Sequence, residues 1–225
     1  SQATTTTDII SRRLLVEYAL SQKNTATSTM SDADVQKIAT ILTGEVKISP
    51  QKEYTLTDLN ISKDNTYEAN LLYIRSISNL LKNFVATGQK ETELTLLVKV
   101  VDSNDTNALG KLDEKIIIYQ KLIENLLALK TPSKVAPVHL RLIQAYEILR
   151  SATVGFKKML SDPVVAIASL GEYGKGVDAL SLAEKDLREF LTEMTGSGSK
   201  PSFVFRYAPK TAFAADDELV REIEE

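Results

Sequence analysis

Leu112, Ile116, Tyr119, Ile123 and Leu126 recur at spacings of four, three, four and three. That rhythm puts all five on one face of a 3.6-residue helix. A strand would need strict alternation, and Asp113, Glu114 and Lys115 in a row break it. The theme returns in Leu142, Tyr146, Leu149, Phe156 and Leu160, and again in Tyr173, Val177, Leu180, Leu187, Leu191 and Met194. Thr131-Pro132 and Ser161-Asp162-Pro163 separate the three stretches. The pattern predicts helices over 107–130, 137–160 and 163–194. Pro137 suits a first turn, where a missing N–H costs nothing, and Ser161 or Asp162 suits an N-cap. Such stripes are buried only against other helices, and the short connections favour antiparallel neighbours.

Upstream, the pattern is more broken. Residues 1–7 are polar and threonine-rich and read as a flexible lead-in. Ile10, Leu14, Leu15 and Tyr18 mark a helix over about 8–22. Ser31 and Asp34 suit a capping box before Val35, Ile38 and Leu42, a short helix ended near Gly44. Residues 46–64 interrupt the helical rhythm. Pro50 and the alternation of Tyr54 and Leu56 predict an extended segment or a small hairpin there. Asn65 with Glu68 is read as the capping box of the next helix, lined by Leu72, Ile77, Leu80, Leu81 and Phe84 and stopped at Gly88. Residues 92–101 fit two templates. Leu94, Leu96, Val98 and Val100 alternate like a strand, while Leu94, Leu97, Val98 and Val101 fit a helix, and the surroundings favour the helix.

Downstream of 195, Gly-Ser-Gly-Ser at 196–199 has linker composition. Phe203, Val204, Phe205 and Tyr207 follow, and Ala214–Glu225 holds six acidic residues against one Arg. Leu219, Val220 and Ile223 fit a short terminal helix. The expected architecture is therefore all-α: an elongated bundle of about six or seven helices with a small extended segment near 46–64. It forms a single domain over 8–195, flanked by the lead-in and by a linker and tail at 196–225.

Composition narrows the function more than the fold. The chain has 225 residues, no Trp and no Cys, and only 6% aromatics. These values suit an Ala/Leu/Ile helical core and remove disulfides, thiolate metal sites and cysteine nucleophiles. Net charge is −3. Over 105–195, twelve basic residues balance twelve acidic ones, so the basic stripe of a nucleic-acid binder is missing. No run approaches the roughly 18 apolar residues of a membrane span. The first residue is Ser1 rather than Met, which suggests a trimmed chain whose signal or anchor lies outside this sequence.

Candidate chemistry is thin. His139 is the one histidine. A di-iron bundle needs Glu-x-x-His motifs, and position 136 is Ala. No Gly-x-Ser-x-Gly elbow supports a serine nucleophile. Asp102 and Asn104 begin like a calcium loop, but Asn107 stands where Gly is needed and Asp113 where Glu is. An interhelix turn with an Asp or Ser N-cap is the plainer reading. Gly171, Gly174 and Gly176 lie inside a helical pattern, which implies a kink, a break or a close helix contact rather than a phosphate loop. No catalytic, cofactor or metal residue is assigned. Tyr54, Leu56, Leu59 and Ile61 are the candidate partner contacts, as a recognition edge on the bundle; the plainer alternative is a loop packed for structure. The tail is a candidate for self-association, against the alternative of a disordered appendage.

Several phrases in order carry a family likeness: Tyr54-Thr55-Leu56-Thr57-Asp58-Leu59-Asn60-Ile61, Leu109-Gly110-Lys111-Leu112-Asp113 leading into Ile118-Tyr119, Leu127–Pro132, Pro137-Val138-His139-Leu140, and Ser161-Asp162-Pro163 continuing to Leu170 and Tyr173–Gly176. Over roughly 8–195 the chain resembles uncharacterised helical envelope proteins of candidate-phyla (Patescibacteria) bacteria. That resemblance implies an N-terminal membrane anchor followed by an exported helical domain, found beside pilus-like and conjugation-like secretion components. It implies no enzymatic activity and no ligand, and carries over no functional residue. The expectation is a non-enzymatic, envelope-associated interaction or scaffold domain, extracytoplasmic and accessory to a pilus-like or secretion apparatus. It would have a protein partner, no nucleic acid, and the membrane only through an anchor absent from this chain. The alternatives are a cell-wall-acting hydrolase on a helical scaffold and a small-molecule or lipid binder.

Overall fold

The three long stripes each become the inner face of a helix. The computed structural model describes residues 51–87, 91–103 and 105–195. These residues form α1 (Tyr67–Thr87), α2 (Glu93–Ser103), α3 (Thr106–Ala128), α4 (Ala136–Phe156) and α5 (Pro163–Thr195). The fold is all-α as expected, but the count is five helices among the described residues rather than six or seven. The helices expected at 8–22 and 35–44 and the terminal one near Leu219 lie outside the described residues, as do the lead-in and the linker. The ambiguous 92–101 stretch is helical, within α2.

Local chemistry sets the helix starts. Asp105 caps α3, its carboxylate accepting the N–H groups of Asn107 at 2.9 Å and Ala108 at 3.3 Å. Asp162 rather than Ser161 caps α5, accepting the Val165 N–H at 3.3 Å. Thr92 caps α2 through the Thr95 N–H at 3.1 Å. The capping box expected of Asn65 and Glu68 does not form. Thr66 accepts the Ala69 N–H at 3.3 Å instead. The Asn65 side chain is engaged elsewhere, donating to Ser133 Oγ at 2.9 Å and accepting the Lys134 N–H at 3.1 Å. The expected face of α1 holds at Ile77, Leu81 and Phe84 but not at its N-terminal end. Leu72 is 64% exposed, while Tyr73 and Ile74 are buried beside Ile77, Leu81 and Phe84.

The extended segment makes no hairpin within the described residues. Ile61–Ser62 (β1) pairs in parallel with Thr131–Pro132 (β2), Ile61 opposite Thr131 and Ser62 opposite Pro132. Thr131 N–H donates to Asn60 O and Ser133 N–H to Ser62 O, both at 2.9 Å. Pro132 fits because its neighbours, not its own nitrogen, supply these donors. A partner seventy residues away leaves no trace in local alternation.

The α4–α5 pair is the centre of the packing, and small residues set its spacing. Gly155 lies against Ser169: a Cβ added at 155 would sit 2.6 Å from Ser169 Cβ. One at Gly176 would sit 2.9 Å from Leu149 Cδ2. Gly176 thus makes a close helix contact, while Gly174 meets open space, and α5 runs unbroken through Gly171, Gly174 and Gly176. Arg141 pairs with Asp186 at 2.7 Å, so the two helices are antiparallel. Aromatic rings join the other layers. Phe84 of α1 lies 5.7 Å from Tyr119 of α3 and 5.4 Å from Tyr146 of α4, centroid to centroid.

Candidate functional site

The segment 51–62 crosses the bundle as a strap fastened at both ends. At its start, Lys52 N–H donates to Glu147 Oε1 at 3.0 Å, and Gln144 Nε2 donates to Tyr54 O at 3.1 Å. Both anchors stand on α4. Glu147 is itself buried and held by Arg150, whose guanidinium donates to both of its oxygens at 2.7 and 2.8 Å. In the middle, Thr55 and Asp58 form a capping box around a single 3₁₀ turn, Leu56–Asp58. The N–H and hydroxyl of Thr55 hold the Asp58 carboxyl below its usual range. At the far end, Asn60 donates to Ala128 O at 3.2 Å just before β1 begins.

The four predicted contact residues divide on this strap. Tyr54 and Leu59 point inward, 4% and 9% exposed, and belong to the core. Burial, followed by the charge of Glu147, raises the Tyr54 phenol. Leu56 and Ile61 point outward, 44% and 39% exposed. The quartet is therefore two rivets and two presented side chains.

His139 is buried between α1 and α3. Its Nε2 lies 2.9 Å from Leu126 O, and its Nδ1 lies 3.0 Å from Tyr73 Oη. A carbonyl only accepts, so Nε2 carries the proton. Nδ1 of the neutral ring then accepts from the Tyr73 hydroxyl. Burial pushes the His139 pKa down, partly offset by the bond to Leu126. Neither nitrogen faces a serine or a carboxylate.

Two further buried carboxylates escaped the pattern reading. Glu93, fully buried on α2, accepts the hydroxyls of Tyr119 and Tyr173, both at 3.0 Å, with Lys115 Nζ 3.4 Å away. Glu184 on α5 is 6% exposed, and burial raises its carboxyl to about 7 against the smaller opposing effect of Arg188. Both were findable, because each occupies a stripe position: Glu93 one turn before Leu96 and Leu97, Glu184 between Leu180 and Leu187.

Near Asp102, Asp105 is spent on its helix cap. Among the described residues no three His, Asp or Glu side chains converge as a metal site needs. Also among them, no helix is long and apolar enough to cross a membrane. Comparison with protein-family models, with known proteins and with solved structures finds no match to this chain.

Proposed function

We propose that this chain is a non-enzymatic interaction or scaffold domain whose recognition edge is the outward side of the 51–62 strap, centred on Leu56 and Ile61. The division of the strap carries this reading. Tyr54 and Leu59 fix its backbone to the core, and Glu147, Gln144 and β2 hold its ends, so two apolar side chains are presented from a preorganised segment. A recognition loop on a rigid support loses little ordering entropy on binding. The ionisable groups support the same reading from the other side. His139, Glu93 and Glu147 are engaged in helix-to-helix hydrogen bonds or in holding the strap. The envelope location, the accessory role beside a secretion apparatus and the protein partner belong to this proposal through the family likeness alone.

Leu56→Lys with Ile61→Lys tests it. Both positions are exposed, so the doubly substituted chain keeps its melting temperature. A photo-crosslinker at position 56 or 61 in native envelope material is expected to label a discrete protein, and the lysines to abolish capture in the parallel pull-down. Undiminished capture by the double variant overturns the edge. Clearing of peptidoglycan by the purified chain, lost on one Glu substitution, overturns the non-enzymatic reading.

A further inference from the structure

β2 lies on a loop whose base is closed by the histidine. α3 ends at Ala128 and α4 begins at Ala136, with Thr131–Pro132 between them. Across the base, His139 Nε2 donates to Leu126 O and joins the first turn of α4 to the last turn of α3. Leu126 O also accepts the Leu129 N–H at 3.2 Å. Leu129 O in turn accepts the Thr131 hydroxyl at 2.9 Å, and the Thr131 N–H donates to Asn60 O. A continuous run of hydrogen bonds thus leads from Tyr73 and His139 to the far end of the strap. His139 and Thr131 are both fully buried.

The site has no provision for a second proton on this ring. From α1 the Tyr73 hydroxyl faces Nδ1, and from α3 the Leu126 carbonyl faces Nε2. On α5, Asp186 is paired with Arg141, two residues further along α4. Nδ1 of the neutral ring accepts from Tyr73. Once protonated it donates instead, and the phenolic proton loses its acceptor. Burial pushes the Tyr73 phenol up, so it does not ionise to balance the charge. A buried imidazolium without a counter-charge is costly, and opening the loop to water relieves that cost.

We infer that His139 positions the far end of the recognition strap, and that its protonation in mild acid frees β2 and with it Asn60–Ser62. The inference rests on the reading of the strap as a recognition edge and adds its regulation: the edge is held at neutral pH and released in acid. The sign follows from linkage. The opened loop takes up a proton at the ordinary histidine pKa of 6.5, while the closed loop does so only at lower pH. Opening is therefore independent of pH above that range and rises as pH falls through it.

The amides of Thr131 and Ser133 report the bridge directly, since they donate to Asn60 O and Ser62 O. Their protection against hydrogen exchange, corrected for the intrinsic rate at each pH, is expected to fall up to about tenfold between pH 7.5 and 5.5. Ile123, fully buried in α3, reports global opening. It is expected to lose no protection, because the Glu184 proton stabilises the whole fold over the same window. His139→Gln keeps an N–H for Leu126 O and does not titrate, so it is expected to abolish the pH dependence at Thr131 and Ser133. Level protection in the parent overturns the inference. So does a fall shared by Ile123, or one that persists in His139→Gln. Should that variant not fold, the parent decides, because His139 is the one histidine and its ring resonances titrate without ambiguity. A ring that titrates at the ordinary histidine value while the bridge stays protected also overturns the inference. Capture through a crosslinker at position 61 keeps the two readings separable. If protection falls in acid but no protein is captured at pH 7.5, the recognition edge fails and acid release stands. If capture is undiminished from pH 7.5 to 5.5 and protection is level, acid release fails and the edge stands.

Discussion

One face of α5 meets buried carboxylates in two different ways. Near its start, Tyr173 donates to Glu93, which also holds the Tyr119 hydroxyl and lies beside Lys115. Three turns on along the same stripe, Glu184 is almost as deeply buried, and the opposing charge acting on it is Arg188, one turn away. Taking a carboxylate out of water costs several kcal/mol unless hydrogen bonds and a counter-charge replace the lost hydration. Glu93 has that replacement from α3 and α5, so its charge joins three helices. Glu184 lacks it to the degree that its carboxyl holds a proton up to about pH 7. The same residue type is thus a fastener at one site and a source of pH-dependent instability at the other. Partner geometry, not burial, makes the difference.

The sharpest way to break this comparison is to remove the fastener. Glu93→Leu takes away the carboxylate beside Lys115, whose side chain is 3% exposed. It also removes the acceptor of two tyrosine hydroxyls. A loss of about 3–5 kcal/mol in unfolding free energy is expected, the usual result of stripping one member from a buried ion pair. Urea denaturation of the variant beside the parent measures it. A loss below about 1 kcal/mol would mean that the cluster is worth no more than a surface ion pair.

The asymmetry between these sites also shows what a lone sequence reveals. The three long helices were legible because their stripes are long, and twelve of their predicted core positions, from Leu112 to Leu191, are buried. α2 was resolved by its surroundings rather than its own pattern. The bridge between β1 and β2 was illegible: a two-residue pairing across seventy residues has no periodicity to read. The strap divided its candidates because alternation alone does not say which of Tyr54 and Leu56 faces inward. Glu93, Lys115 and Glu184 went unseen for a different reason. A charged residue on an apolar stripe scores as an interruption, and Lys115 looks like part of a charged run although its spacing from Leu112 and Tyr119 puts it on the core face. Gly155 was missed as well, because close helix approach depends on the Ser169 opposite it.

The second site sharpens the comparison through pH. Between 4.5 and about 7 the folded chain keeps the Glu184 proton that the unfolded chain has released. More protons bound in the folded state mean that stability falls as pH rises through that window, by about 3 kcal/mol in all, and is unaffected by this group below it. Glu184→Gln keeps the shape and removes the titration. The variant is expected to match its parent near pH 4 and to exceed it by up to about 3 kcal/mol at pH 8. His139 works in the opposite direction: its lowered pKa makes the folded chain lose stability as pH falls through the ordinary histidine range and below. That slope is common to both proteins and cancels in their difference. A parallel pair of stability–pH curves would show that Glu184 is solvated and that the contrast with Glu93 is false.

The smallest effect is the most discriminating. Tyr173→Phe deletes one hydroxyl and leaves Glu93 with the Tyr119 donor and the nearby ammonium. A cost of about 1–2 kcal/mol is expected, since the hydrogen bond is made to a charged acceptor. In the Glu93→Leu background the hydroxyl has lost that acceptor, so the same substitution is expected to cost little or to stabilise slightly. The difference between the two backgrounds, from four urea curves, isolates the coupling between Tyr173 and Glu93 from the packing of the ring against Phe156, 5.4 Å away between centroids and present in all four proteins. Equal costs in both backgrounds would place the whole contribution of Tyr173 in its ring. The Tyr173 hydroxyl would then contribute nothing to holding Glu93, and the contrast with Glu184 would rest on Tyr119 and Lys115.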